Sequence, residues 1–344
     1  MKEHQLPDIL LRSIRSGIVP VVPDRVNIKI TGVCNLHCEF CEYHSFLNVK
    51  KPKPVHVDAG GIISVIGELA RGGCRDVTLC ACGEPSLHPQ FADIVAAVKQ
   101  GGMRLCLVTN LSLTSKTVRL AYQQADRILV NVSAWDESSY RAIHFPEIPE
   151  TFLHVLENIR SLDQRHCQLD ICCVITKHNF CQVEKVLSLA ETCGAGGVQF
   201  RNINVDPPTR GLALSVAERR ELALKIAYLL QGGVKIRNNM KEMLKELVMP
   251  ETTTTALACC WIGWLMLSIE VDGSLFLCPQ NKRLKIGRLT PGRMSSLWSG
   301  VKAHRLRLLA RDHIQRQEVS GGYCRHCPFA GLNEALDKGM ARCE

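Results

Sequence analysis

Residues 25–43 read R-V-N-I-K-I-T-G-V-C-N-L-H-C-E-F-C-E-Y, and this stretch decides the fold. Residues 25–31 alternate apolar and polar side chains, the period of a strand with one face buried. The loop that follows carries Cys34, Cys38 and Cys41 in the spacing C-x3-C-x2-C. A [4Fe–4S] cluster has four irons, each of which takes a ligand. Three cysteines on one short loop leave one iron open to bind and reduce a small molecule. A closed zinc site would need a fourth ligand close by. His37 and His44 are the candidates, and His37, lying between two of the cysteines, would reach the same ion awkwardly.

Outward from this loop, short apolar runs recur at 76–80, 104–109, 127–132, 169–175 and 197–200. Helical patterns lie near 58–71, 89–101, 115–124, 150–162 and 183–193. In 89–101, Phe91, Ile94, Val95 and Val98 share a face and Gly101 offers a stop. Six strands alternating with helices predict an α/β fold with a parallel sheet. The site is then expected at the C-terminal ends of the strands. A further helix is expected at 215–230, and 251–258, E-T-T-T-T-A-L-A, reads as a linker. The expected organisation is an N-terminal extension (1–24), a core (25–213), connecting helices and linker (214–257) and a small α+β domain (258–344).

A second cysteine set lies in that last segment. Cys260 and Cys278 flank L-M-L-S-I-E-V-D-G-S-L-F-L, in which Asp272-Gly273 between alternating apolar residues predicts a hairpin. A hairpin brings Cys260 and Cys278 together. Cys324 and Cys327 add a C-x2-C, making four thiolates. Four thiolates alone suit zinc as well as iron–sulfur.

The composition is that of an ordinary globular chain: 344 residues, 46% hydrophobic and 22% charged. The opening M-K-E-H-Q-L-P-D has no apolar run, so no secretory signal is expected. The apolar run 261–269 is too short to span a bilayer. A cytoplasmic protein without a membrane partner is expected. The eighteen cysteines are then no disulfide framework. Those scattered outside the two sets (Cys74, Cys80, Cys106, Cys167, Cys172, Cys173, Cys181, Cys193) are expected to pack as small hydrophobes. The net charge is +9. Residues 279–311 hold Lys282, Arg283, Lys285, Arg288, Arg293, Lys302, Arg305, Arg307 and Arg311 and no acid. Such a patch suits an anionic substrate or nucleic acid, but a solvated basic face that also offsets the charge of a thiolate-ligated cluster is expected. Apart from His304, Trp298 is the lone aromatic ring among these cations, which argues against nucleic-acid binding.

The cysteine loop resembles the cluster loop of radical S-adenosylmethionine (radical SAM) enzymes, and Phe40, just before the third cysteine, is aromatic as that family prefers. The resemblance implies a partial (β/α)6 barrel. It implies that S-adenosylmethionine chelates the open iron through its amino and carboxylate groups. An electron from the cluster then cleaves it to methionine and a 5′-deoxyadenosyl radical, which takes a hydrogen atom from substrate. The string C-A-C-G-E-P (80–85) stands where the family usually carries G-G-E-P, whose backbone groups meet the cofactor's amino group. Gly83, Glu84 and Pro85 match, and Cys82 departs by replacing the first glycine. Asn110 and Ser133, at the ends of the third and fourth strands, are expected to meet the cofactor's ribose or carboxylate, or else to cap the helices that follow. Arg201, after the sixth strand, would pair with the cofactor carboxylate or form a surface ion pair.

The C-terminal cysteine pattern resembles the twitch domain, a shortened relative of the SPASM domain, and implies one auxiliary [4Fe–4S] cluster held by Cys260, Cys278, Cys324 and Cys327. Cys259 and Cys343 are left over. Fully ligated, that cluster would act as an electron acceptor in a two-electron oxidation, alcohol to ketone. A base is needed, and His144, Asp136 and Tyr140 are the candidates. The expected function is radical modification of a small polar metabolite of the sugar, aminocyclitol or nucleoside type, fed by an electron donor such as flavodoxin or ferredoxin. The alternatives are a maturase of a ribosomally made peptide and a zinc-stabilised nucleic-acid-binding protein.

Overall fold

The computed structural model describes Ser16 and residues 19–48, 53–80, 82–204, 208–248, 259–313, 317–320, 324, 327 and 329–341. Most of the expected N-terminal extension, the linker at 251–258 and Cys343 lie outside the described residues.

The six expected strands are β1 (Arg25–Ile28), β2 (Asp76–Leu79), β3 (Arg104–Thr109), β4 (Arg127–Asn131), β5 (Gln168–Ile175) and β6 (Gly197–Asn202). They pair in sequence order, all parallel. Between them run α1 (Ala59–Arg71), α2 (Phe91–Gln100), α3 (Lys116–Tyr122), α4 (Glu137–His144), α5 (Thr151–Ser161) and α6 (Val183–Cys193). Helix starts follow local chemistry. Asp58 caps α1 by accepting from the Gly61 N–H, and Ser115 caps α3 through Val118. Asp136 and Ser139 form a reciprocal capping box at the start of α4.

Strand alternation sorts the two faces of the sheet. In β1, β2 and β3 the buried positions (Val26, Ile28, Val77, Leu79, Leu105, Leu107) alternate with more exposed ones (Asn27, Thr78, Cys106). The first set joins the core with Ile62, Val65, Ile94 and Val95 of α1 and α2, and the second lines the opposite, concave face. Of the scattered cysteines, Cys74, Cys167, Cys172, Cys173 and Cys193 are buried as expected. Cys80, Cys106 and Cys181 are only half-buried, because Cys80 and Cys106 sit in the open-face register.

Four further strands extend this sheet. β7 (Arg237–Asn238) adds parallel to β6 after α7 (Val216–Gln231). Beyond α8 (Met240–Val248) and α9 (Ile262–Leu265), β8 (Met266–Ile269) pairs parallel with β1. β9 (Ser274–Phe276) and β10 (Lys285–Arg288) follow antiparallel. The order is β10-β9-β8-β1-β2-β3-β4-β5-β6-β7, a partial barrel whose C-terminal strands continue the same sheet. The β8–β9 hairpin turns at Gly273, whose φ of 79° suits glycine. Then come α10 (Met294–Trp298), α11 (Val301–His313), α12 (Gln317–Ser320) and α13 (Ala330–Ala341).

At the N-terminal ends of β4–β7 the buried Asp170 carboxylate pairs with Arg127 (3.1 Å) and Arg237. Such contacts at the bottom of a barrel read as stability, while chemistry sits at the top. In the basic segment, Arg307 is buried against the Trp298 ring, 4.1 Å from its centroid, so it belongs to the core. Among the described residues no helix is long and apolar enough to cross a membrane.

Candidate functional site

The loop after β1 holds Cys34, Cys38 and Cys41 at the C-terminal edge of the sheet. Burial, and then the neighbouring charges of Glu84 and Cys41, push the Cys34 thiol up to about 12. Burial followed by repulsion from Cys41 and Cys34 raises Cys38 well above the ordinary thiol range. Burial raises Cys41 too. Three thiols that oppose one another's ionisation want a positively charged centre. Neither histidine of the loop completes a four-ligand set. His37 Nδ1 donates to the His44 carbonyl (3.4 Å), and its Nε2 faces Glu147 (3.5 Å). His44 Nε2 donates to the Cys82 carbonyl (2.8 Å).

Four sets of hydrogen bonds hold the loop. Asn35 is clamped by Asn110 Nδ2 (2.9 Å) and Ser112 Oγ (2.9 Å) beyond β3. Glu39, buried between Cys38 and Phe40, accepts from Thr176 Oγ1 (3.0 Å) and His178 Nδ1 (2.7 Å) beyond β5. The end of α4 takes two loop N–H groups, His37 onto His144 O (3.1 Å) and Glu39 onto Ile143 O (2.9 Å). Glu84 donates its N–H to Val33 O at 2.7 Å.

That last contact explains Gly83. A Cβ there would stand 2.1 Å from the Val33 carbonyl oxygen, so only glycine lets the strand-end turn lie against the cysteine loop. Pro85 opens the short 3-10 turn that Glu84 caps. The Glu84 side chain is spent within the protein. Its Oε1 accepts from Ser86 N (3.0 Å), Ser86 Oγ (2.5 Å) and Thr109 Oγ1 (2.7 Å), and its Oε2 from Asn110 N (2.7 Å). Burial raises its pKa although all these donors oppose the shift. Glu84 therefore ties β2 to β3.

Other expected residues turn out differently from their reading. Ser133 is fully buried and caps no helix, since Asp136 caps α4. Its Oγ accepts from Val174 N (2.9 Å), its carbonyl from Asn179 Nδ2 (2.9 Å), and its N–H donates to His144 Nε2 (2.9 Å). Arg201 lies inside β6, not after it, with an exposed side chain beside the Cys172 thiol. Of the three candidate bases, His144 and Tyr140 are fully buried, because α4 turns both rings onto the cysteine loop. Asp136 is exposed but engaged as the α4 cap, and it lines a cavity of about 250 Å³ with Trp135, Ser138 and His178.

Sequence reading missed a half-buried polar chain at the ends of β1 and β8. Lys29 Nζ donates to Tyr43 Oη (3.0 Å) and Glu270 Oε2 (2.9 Å), and Lys282 Nζ donates to Glu270 Oε1 (2.7 Å). Burial opposes the charge on Lys29, but Tyr43 and Glu270 outweigh it and raise its pKa. Burial likewise disfavours the Glu270 carboxylate, yet Lys29 and Lys282 hold it below its ordinary range.

In the second set the thiols act on one another's ionisation. Burial raises Cys260, and Cys278, Cys327 and Cys324 raise it further. Burial, then Cys278, pushes Cys324 and Cys327 up to about 11. Asn281 Nδ2 reaches Cys324 Sγ at 3.7 Å, and Asn333 of α13 accepts from the Trp261 N–H (2.7 Å) beside Cys260. Among the described residues no three or more His, Cys, Asp or Glu side chains are grouped to hold a single metal ion. The fit to multi-iron groups rests on the donor type, three thiols and then four. It also rests on one orphan: the buried Tyr140 hydroxyl has no hydrogen-bond partner and has Cys38, Glu84 and Cys34 for neighbours.

Residues 28–190 match the Radical SAM superfamily, and residues 259–328 match the SPASM family, described as an iron–sulfur cluster-binding domain. A radical SAM domain works with a [4Fe–4S] cluster and S-adenosylmethionine, and a SPASM domain holds auxiliary iron–sulfur clusters. An S-adenosylmethionine-dependent nucleotide dehydratase of Lacinutrix mariniflava is 30% identical over 40% of this chain and 29% of its own length. The chain thus spans less than a third of that relative. A probable GTP 3′,8-cyclase of Saccharolobus islandicus is 24% identical over 74% of this chain and 82% of its own. Streptococcus suis SuiB bound to S-adenosylmethionine shares the fold, with a TM-score of 0.63 at 13% identity over 85% of this chain and 69% of its own. Residues 28–190 thus form a domain of the radical SAM superfamily, followed toward the C-terminus by an iron–sulfur cluster-binding domain of the SPASM family over residues 259–328.

Proposed function

We propose that the chain is a radical SAM oxidoreductase acting on a small polar metabolite of the sugar, aminocyclitol or nucleoside type. Cys34, Cys38 and Cys41 would hold the first cluster, and Cys260, Cys278, Cys324 and Cys327 the second. When bound, the first cluster with S-adenosylmethionine supplies hydrogen-atom abstraction, and the second supplies an acceptor for one electron.

The observation that carries this reading is the chain Tyr43–Lys29–Glu270–Lys282. It starts just after Cys41 and ends just after Cys278, so it runs from one cysteine set to the other. It lies at the strand ends where barrel enzymes hold substrate. Two ammonium groups share the Glu270 carboxylate, with Glu42 beside Tyr43, and each ammonium has three N–H donors, which suits a hydroxyl, carboxylate or phosphate oxygen. Oxidising a carbinol to a ketone removes a hydrogen atom, an electron and a proton. The hydroxyl of a carbon radical is far more acidic than that of its parent alcohol, and an ammonium group of Lys29 or Lys282 beside that oxygen would lower it further, so the proton would pass to solvent as the electron leaves for the second cluster. The relatives named as a nucleotide dehydratase and a GTP cyclase support a nucleoside-type member of this class. An external one-electron donor of flavodoxin or ferredoxin type completes the scheme.

The test is anaerobically reconstituted protein with a reductant, S-adenosylmethionine and panels of sugars, aminocyclitols, nucleosides and nucleotides. Substrate-stimulated 5′-deoxyadenosine and a product lighter by two hydrogens support the reading. Lys282→Met then raises KM while leaving unstimulated cofactor cleavage in place. Stimulation by peptides alone would replace the metabolite reading with that of a peptide maturase.

A further inference from the structure

His144 is the last residue of α4 and is fully buried. Its ring stacks on Tyr140 (centroids 4.4 Å apart, planes at 23°) and meets Phe40 edge-on at 5.7 Å. Both ring nitrogens are engaged. The Ser133 backbone N–H points at Nε2 across 2.9 Å. A backbone N–H only donates, so Nε2 is the acceptor and the ring proton sits on Nδ1. Nδ1 lies 3.1 Å from Cys38 Sγ, so the proton points at sulfur. The donor is held in register because the carbonyls of Ile143 and His144 at the end of α4, and of Phe145 just beyond it, accept from the N–H groups of His37 and Glu39 on either side of Cys38.

We propose that His144 is a positioning residue that sets the reduction potential of the cluster on Cys34, Cys38 and Cys41, by donating its Nδ1–H to the Cys38 sulfur. This rests on reading those cysteines as cluster ligands. Reduction adds negative charge that spreads onto the sulfurs, so a fixed donor stabilises the reduced state and raises the potential. Among the described residues the donors to the Cys41 sulfur are backbone groups, Tyr43 N (3.4 Å) and His44 N (3.3 Å). The contact to Cys38 comes from a side chain and can be removed by substitution. It also couples the potential to β4, since Ser133 fixes the tautomer.

The experiment is a redox titration of the reconstituted full chain followed by electron paramagnetic resonance. The signal that changes on adding S-adenosylmethionine identifies this cluster against the auxiliary one. His144→Phe keeps a flat ring and removes the donor. Its expected midpoint is more negative, with the reduced fraction at a fixed potential about tenfold lower, which is about 59 mV for one electron. His144→Asn keeps an amide N–H at the Nδ position and is expected to recover part of the shift. Nitrogen-15 histidine labelling of the unsubstituted protein adds a readout that needs no variant: a hyperfine coupling from one imidazole nitrogen to the reduced cluster. Iron-loaded variants that titrate with the parent, or a labelled parent without that coupling, overturn the role of His144. Protein that takes up no iron overturns the ligand reading as well, and iron content tells the two failures apart.

Discussion

Glu84→Gln separates a clamp from a cofactor ligand. The Glu84 carboxylate accepts four hydrogen bonds, three on Oε1 and one on Oε2. Hydrogen bonds to a charged acceptor contribute about 1.5–3 kcal/mol each, and neutral ones about 1. Glutamine keeps one oxygen, so the three donors on Oε1 retain weaker partners. The Asn110 N–H then faces an amide NH2 and is left buried without an acceptor, a cost of about 1–3 kcal/mol. Relief from burying a charge offsets part of this loss. The expected net destabilisation is about 3 kcal/mol. With an unfolding entropy of about 2.1 cal/mol/K per residue, a chain of 344 residues loses about 4 °C in Tm. The assay is thermal unfolding of the reconstituted protein beside equilibrium binding of S-adenosylmethionine. An unchanged Tm with binding weakened tenfold or more would refute the clamp and return Glu84 to the cofactor.

Three further outcomes follow from the geometry. Gly83→Ala forces a Cβ against the Val33 carbonyl; overpacking of this kind costs about 1–3 kcal/mol, and because the strain falls on the cysteine loop, 5′-deoxyadenosine formation should drop about tenfold or more while iron is retained. Cys278→Ser with Cys327→Ser should lower iron from about eight to about four per chain, spare some cofactor cleavage and abolish the oxidised product; persistent product would mean the second site is structural. Asp170→Asn should cost about 2 kcal/mol in urea unfolding near neutral pH, below the 3–5 of a fully buried pair because Arg237 is half-exposed. Burial would raise Asp170, but Arg237 outweighs it and leaves the carboxyl below its ordinary value. Its contribution is therefore complete above the unfolded value near 3.9 and lost as pH falls through the folded one, so parent and variant should converge in acid.

The parts legible in the sequence were those whose signal is local. Alternation in 25–31 and the repeated apolar runs gave the six parallel strands, and α6 matches its expected span. Asp272-Gly273 gave the hairpin that brings the second cysteine set together. Long-range pairing was not legible. Lys29 sits at a polar position of an alternating strand and reads as solvent-facing; its partner Glu270 is 241 residues away and meets it only because β8 pairs with β1. β7 is two residues long, too short to carry a period. Helix α4 was missed, although Asp136 and Ser139 carry a capping-box spacing that could have shown it. With α4 missing, His144 and Tyr140 read as open-face bases, where the structure turns both onto the cysteine loop. The hydrogen bonds that hold Glu84 and Ser133 were not legible either, because Thr109, Asn110, Val174 and Asn179 lie at the ends of neighbouring strands.

The central claim is that the two cysteine sets hold iron–sulfur clusters and that the first drives cleavage of S-adenosylmethionine. Its most direct test is iron and acid-labile sulfide content of anaerobically reconstituted protein, with dithionite-dependent 5′-deoxyadenosine formation measured in the same sample. About eight irons per chain, the sum of two [4Fe–4S] clusters, with cleavage that vanishes in Cys34→Ala, Cys38→Ala and Cys41→Ala, is the result expected. Bound zinc without iron, or cleavage that survives those substitutions, would contradict it.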